Sequence, residues 1–406
     1  MNILLVGNGF DLHHMYPTGY INFLHTFQFL TGSYDDSFDS IGKIFGNEHL
    51  QANDEFIKDC YTQHSRIYDS TPLAVSEAKQ IIGKAKNNLW YNYLCTCVTK
   101  DIRWIDFEKE ISRVIEAFSD FLECDDGLYL MNNHVVFDSS EFPSNVENRH
   151  ILSHFNFFFE DFNDSILLEP GTVEIKKQYI YEKVVGSKSY YTRDDDIISE
   201  LYNSLRELAD ILQWYLQHFI DAPSREYAAL GYKPRFPSYP HPYRVYSFNY
   251  TNTIELLYDT NMVDHIHGNT QDHIVLGVNP DANDNLSSIN TSFLQFKKYF
   301  QRTYFRTDYS YIQSIKTRNS TPHIHDTHLF VMGHSLDITD KDIIMQIFDV
   351  ANKITILYHK ESSIKNLIRN LVEMYGKDGF DELRTTRDLQ FMPQAKIEWI
   401  QDKTSD

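Results

Sequence analysis

Four short stretches hold residues able to act on a bound ligand. They are Gly7-Asn8-Gly9 with Asp11 in GNGFDL, Asn249 in SFNYTNTIE, His267-Gly268 in VDHIHG, and Gly333-His334-Ser335 in FVMGHS. Glycines in a strand-to-helix turn let the backbone approach a ligand closely, and the helix start that follows favours an anionic group. The full GxGxxG dinucleotide fingerprint is absent, because residue 12 is leucine and no third glycine follows. Each residue also has a purely structural reading. Asp11 can cap the first helix, Asn249 the next one, and Glu255 can complement a helix dipole. His267 can be a satisfied core histidine, and Ser335 can end a turn.

These residues need elements that position them. Ile3 to Val6 is a continuous apolar run closed by glycine, which reads as a strand buried on both faces. Tyr20, Phe23, Leu24 and Phe27 follow at helical spacing. RVYSFNY, VDHIH, HIVLGV, THLFVMG and KITILY read as further strands. The segment after KITILY reads as a helix capped by Ser362 or Ser363 and stopped at Gly376. Strands alternating with helices predict an α/β fold with a mostly parallel sheet flanked by helices. The C-terminal ends of strands in such a sheet face a ligand crevice, so the four stretches would converge on one edge. The middle of the chain differs, with long helical stripes over 105–122 and 197–220 and weak alternation over 173–192 that suggests a hairpin. The expected organisation is a split core, 1–53 with 240–406, interrupted by a mainly helical insertion over 54–239. Proline-rich RFPSYPHPYR (235–244) reads as the exit linker.

Composition bounds the function. The 406 residues carry 57 acidic and 37 basic side chains, a net charge of -20, which disfavours attraction to nucleic acid or anionic membrane. The 42 % hydrophobic content is enough for a sizeable core. The apolar run at the N-terminus is too short for a signal peptide, and no stretch approaches a membrane span. The four cysteines, Cys60, Cys95, Cys97 and Cys124, form no CxxC pair. A reduced cytoplasmic chain is expected.

GNGFDLHHMYPTGYINFL resembles the opening motif of the bacteriophage abortive infection AbiH family, which reads close to GNGFDLAHGLPTxYxDFL. His13, Met15 and Tyr16 depart from it. WIDFE (104–108), FNYTNTIE (248–255), HIHGN (265–269) and GHSLDITD (333–340) match further. The same ordered set also looks like a Rossmann-like, sirtuin-like nucleotide site. That resemblance implies NAD as ligand, with Asn249 orienting the ribose and attacking water and His267 as acid/base partner. It implies that Gly7, Asn8 and Gly9 lie along the pyrophosphate and Gly333 and Ser335 near the adenosine ribose, with Asp11, Gly268 and Glu255 also lining the site. The four-cysteine zinc module of protein deacetylases is missing, which sets NAD hydrolysis or binding ahead of deacetylation. A near-neutral histidine in a polar, water-poor pocket suits cleavage of an N-glycosidic bond without a metal.

Three functions remain in view at this stage. The first is a phage-defence protein that binds and hydrolyses NAD. The second is a non-enzymatic NAD or ADP-ribose sensor acting through a phage or host protein. The third is a nucleic-acid-directed toxin using Lys298, Arg302 and Arg306, which share a helical face that otherwise reads as solvated. Self-association is compatible with all three. His323, His325 and His328 could ligate a metal, but no complementary ligand set accompanies them, so no metal site is expected.

Overall fold

The computed structural model describes residues 1–98, 105–123, 128–131, 134–138, 146–155, 157, 172–185, 187–258, 260, 262–279, 291–319 and 326–401. The chain divides into two compact units, Met1–Ile81 with Asp210–Val275 and Lys298–Asp406, and Ile82–Ala209 with Leu276–Lys297. These units divide at 81/82 and 209/210, with 276–297 in the second.

The first unit is built on six parallel strands: β1 (Asn2–Val6), β2 (Arg244–Ser247), β3 (Val263–His265), β4 (His328–Met332), β5 (Lys353–Tyr358) and β6 (Leu389–Pro393). Their order is β6-β5-β4-β1-β2-β3, all parallel. The order reverses beside β1, which lies between β4 and β2. Successive β1 side chains point to opposite faces. Ile3 and Leu5 join a core with Val331, Ile354, Ile344 and Ile347. Leu4 and Val6 join another with Phe10, Val245, Met332 and Ile254. Each fully buried Leu or Ile contributes about 1.5–3 kcal/mol, and the double burial of β1 explains why its sequence runs apolar without alternation.

Helices cover these faces. α1 (Gly9–His13) and α2 (Tyr20–Ser33) follow β1, and α3 (Glu55–Ser70) and α4 (Ala222–Ala229) belong to the same unit. α5 (Thr253–Tyr258) follows β2, α6 (Lys298–Phe305) lies between β3 and β4, and α7 (Lys341–Asp349) and α8 (Glu361–Thr386) follow β4 and β5. Gly376 ends the first helical segment of α8, as expected. It adopts φ 70°, ψ 172° and kinks the helix, which resumes to Thr386. The residue preceding α8 is Lys360, and Ser363 is already inside it. HIVLGV forms no strand. Ile274, Val275 and Leu276 are buried, but the segment makes only an isolated bridge, Val278 with Lys297. Its apolar run reports burial, which periodicity alone does not separate from pairing.

In the second unit, helix Phe107–Glu123 forms over the predicted stripe. Beside the helices lie two small antiparallel sheets, Leu128–Met131/His134–Asp138/Thr172–Glu174 and Ile180–Val185/Ser187–Thr192. The second of these sheets lies within the 173–192 stretch read as a hairpin, and the first was not anticipated. No helix among the described residues is long and apolar enough to cross a membrane.

Gly333 tests the packing of this core. It holds φ +67°, and a Cβ there would lie 2.1 Å from the Phe10 amide nitrogen. Gly333→Ala is expected to lower unfolding free energy by about 2–4 kcal/mol in urea melts. Gly32→Ala, in open space on α2, should raise it by about 0.4–1 kcal/mol. Equal effects at the two positions would contradict this account.

Candidate functional site

The loops after β1, β2, β3 and β4 adjoin at the C-terminal edge of the sheet. Phe248 N donates to Val6 O at 2.9 Å and Ile266 N to Ser247 O at 2.8 Å. Gly9 N donates to Gly333 O at 2.8 Å. A Cβ on Gly7 would meet His334 Cα at 2.8 Å, and one on Gly9 would meet Gly333 Cα at 2.8 Å. These glycines let two protein loops close on one another. Gly268, at φ +79°, does the same against the His273 carbonyl oxygen, which a Cβ would reach at 1.7 Å. Asn8 and Ser335 are the exposed members of the loops. Asn8 Oδ1 accepts from Thr18 Oγ1 at 2.6 Å, and the Ser335 carbonyl accepts from Asn370 Nδ2 at 3.0 Å.

One cluster gathers around Asn249. Its Oδ1 has no hydrogen-bond partner although the residue is only 7 % exposed. Its carbonyl accepts from His265 Nδ1 at 2.9 Å, and His265 Nε2 contacts Glu255 Oε1 at 2.6 Å. Burial alone would lower the His265 pKa, but the Glu255 carboxylate outweighs it and raises it. Glu255 Oε2 is left without a partner. Asp11 lies within α1 and does not cap it; Thr251 Oγ1 donates to its Oδ2 at 2.5 Å. Burial, aided by the charges of Asp221 and Glu255, pushes the Asp11 pKa up to about 7, against the hydroxyls of Thr251 and Thr253. Asp11 Oδ1 and Thr253 Oγ1 lie close by but without hydrogen-bonding geometry. Asp221, at the end of a π turn (Gln217–Asp221), pins the loop by accepting from Asn252 N at 2.9 Å, from Asn252 Nδ2 at 2.8 Å and from the Thr270 hydroxyl.

A second cluster gathers around His267, which is 4 % exposed. Its ring packs on Phe248 at 5.4 Å between centroids, and Phe248 packs on His334 at 4.4 Å. His267 Nε2 contacts Asp340 Oδ1 at 3.0 Å. Lys298 Nζ donates to the same oxygen at 3.1 Å, and His334 Nε2 stands 3.6 Å from Oδ2. Burial lowers the His267 pKa to about 4, with Lys298 adding to the fall and Asp340 opposing it. Burial would raise the Asp340 carboxyl, but Lys298 and the two histidines hold it well below the usual range.

This cluster corrects one sequence expectation. Lys298 and Arg302 form no solvated or nucleic-acid-binding face. They are 2 % and 3 % exposed and paired with Asp340 and Asp342, while Arg306 lies beyond the end of α6 with φ 60°. Asp340, the residue immediately before α7, makes no capping bond. Sequence reasoning also passed over Asp221, Thr251 and Thr270. Their only signal was closeness to FNYTNTIE and HIHGN, and Asp221 had none.

Among the described residues no group of three or more His, Cys, Asp or Glu side chains could hold a metal ion. His323 and His325, together with Trp104 and Cys124, lie outside the described residues. His328 sits in β4 with its Nε2 2.8 Å from Thr355 Oγ1.

The family model described as bacteriophage abortive infection AbiH matches residues 3–359. No curated protein and no solved structure matches the chain.

The raised Asp11 pKa has a consequence for stability. The folded chain keeps a proton that the unfolded chain releases between about pH 4 and 7, so this carboxyl costs stability as pH rises through that window. Asp11→Asn should therefore gain stability over the parent as pH rises from 4 to 8, by at most about 1.4 kcal/mol per pH unit. His14 and His64, depressed by burial to about 3 and 4, act in the opposite direction but cancel in the comparison. Urea melts across this pH range are the measurement, and a pH-independent difference is the contrary result.

Proposed function

The chain belongs to the bacteriophage abortive infection AbiH family, whose role is in aborting phage infection, and on that premise we propose that it binds NAD at a Rossmann-type, sirtuin-like site and hydrolyses it. One observation carries the reading. At the edge where the strand order reverses, Asn249 Oδ1 and Glu255 Oε2 are buried oxygens without partners. Orphaned buried acceptors are costly, by about 1–3 kcal/mol each. A ligand rich in hydroxyl donors, such as a ribose, would satisfy them. The strand order β6-β5-β4-β1-β2-β3 is that of dinucleotide-binding sheets, whose ligands lie at the reversal.

In this reading Asn249 and Glu255 hold ribose hydroxyls, with Asp11 on the same side as acceptor or donor. Breaking the bond from ribose C1′ to the nicotinamide nitrogen sends its electron pair to the ring, which leaves neutral. The positive charge left on the ribose is stabilised by the carboxylates. A water adds to C1′, and His267 Nδ1 takes its proton. The products are nicotinamide and ADP-ribose. Gly7, Gly9, Gly268 and Gly333 act by closing the loops, while the exposed Asn8 and Ser335 meet the pyrophosphate and the adenosine end. Because Asn249 and His267 are nearly closed to solvent, NAD entry requires these loops to part. That suits an activity held silent until infection.

The test is made in cells challenged with phage. NAD should fall and nicotinamide rise in cells carrying the parent protein, and Asn249→Ala or His267→Ala should abolish both changes and the protection. Protection that persists with NAD unchanged would sink the proposal.

A further inference from the structure

Asp340 closes the motif GHSLDITD and immediately precedes α7, where a carboxylate would ordinarily cap the helix. Its side chain is turned away from that task, toward His267, Lys298 and His334. An ionised carboxylate only accepts hydrogen bonds, so His267 must donate through Nε2. A neutral imidazole carries one N–H, which leaves Nδ1 as a bare lone pair. That nitrogen is buried and has no partner.

We infer that Asp340 is the positioning residue of this site: it locks His267 in the Nε2–H tautomer and so keeps Nδ1 ready to receive a proton. The inference rests on the reading of His267 as the proton acceptor. The charged groups around the ring act on it in opposite senses. Lys298, on α6, offsets the charge of Asp340 and, with Arg302, discourages protonation of His267. Asp342 takes up Arg302. His334 reaches the far oxygen of Asp340, and Phe248 packs against the ring in a T-shaped contact at 5.4 Å between centroids. In the step itself, the water O–H bond breaks as the new bond to C1′ forms. The proton passes to Nδ1, and the C1′–N electron pair leaves with nicotinamide. Only one tautomer can receive that proton.

Nitrogen NMR on the full chain labelled with ¹⁵N-histidine tests the inference without relying on turnover. His267→Gln identifies the resonances. Between pH 6 and 8 His267 should be neutral, with a protonated Nε2 and a bare Nδ1. A protonated Nδ1, whether in the other tautomer or in a charged ring, would overturn the inference. Asp340→Asn should shift the ring toward the Nδ1–H form and lower kcat for nicotinamide release by about 100-fold or more, with KM little changed. A folded Asp340→Asn protein that keeps the parent tautomer would also overturn it. Lys298→Met provides a second variant if Asp340→Asn fails to fold. Removing this cation should raise the pH at which His267 protonates by about one unit or more, and an unmoved titration counts against the network. If the tautomer behaves as expected while the parent protein never releases nicotinamide, the positioning role stands and NAD hydrolysis fails.

Discussion

The close approach of Gly9 to Gly333 governs the rest of the site. These residues belong to loops that leave neighbouring strands, β1 and β4, at the point where the sheet changes direction. Neither carries a Cβ, so amide nitrogen and carbonyl oxygen meet at 2.8 Å. With the two loops drawn together, His334 is brought beside Gly7 and against Phe248, and Phe248 against His267. A side chain at either glycine would have to displace backbone, because the atoms it meets are backbone. Closed on one another in this way, the loops form the edge on which the polar clusters are hung.

Those clusters divide the electrostatic work. Around Asn249 the buried groups are mostly acids and hydroxyls, and the excess of acceptors leaves several unsatisfied. Around His267 the acids are matched by Lys298 and Arg302, giving a balanced, dry network. The first cluster is incomplete without donors from outside the chain. The second is held by ion pairs, although His267 Nδ1 and the Nε and Nη1 atoms of Arg302 are also without partners. The overall charge of -20 says little about either, because local pairing sets the field at such short range.

Much of this was legible in the sequence because apolar runs and glycine stops report strand interiors and strand ends directly. NILLVG, RVYS and KITILY sit in the sheet as their patterns required. The motif residues lie on one edge because parallel strands all end on the same side. β6 was missed since LQFMP is an edge strand, half-exposed and without an apolar pattern. Lys298 and Arg302 misled for a different reason. Helical spacing gives the face a residue occupies, and burial of a cation depends on acids 40 or more positions away in sequence, in this case Asp340 and Asp342. Asp340 resembled a cap because its local sequence matched one, and only the fold brings His267 within its reach.

The central position of β1 also governs how the protein comes into being. Its five residues are made long before its neighbours in the sheet, residues 244–247 and 328–332. Pairings separated by such long loops form late and slowly. Until synthesis has passed β4, Gly9 has no Gly333 to meet and His267 has no Asp340. A chain still being translated, or one truncated before that point, thus holds no assembled site. The order of synthesis thus sets when this edge of the sheet can close.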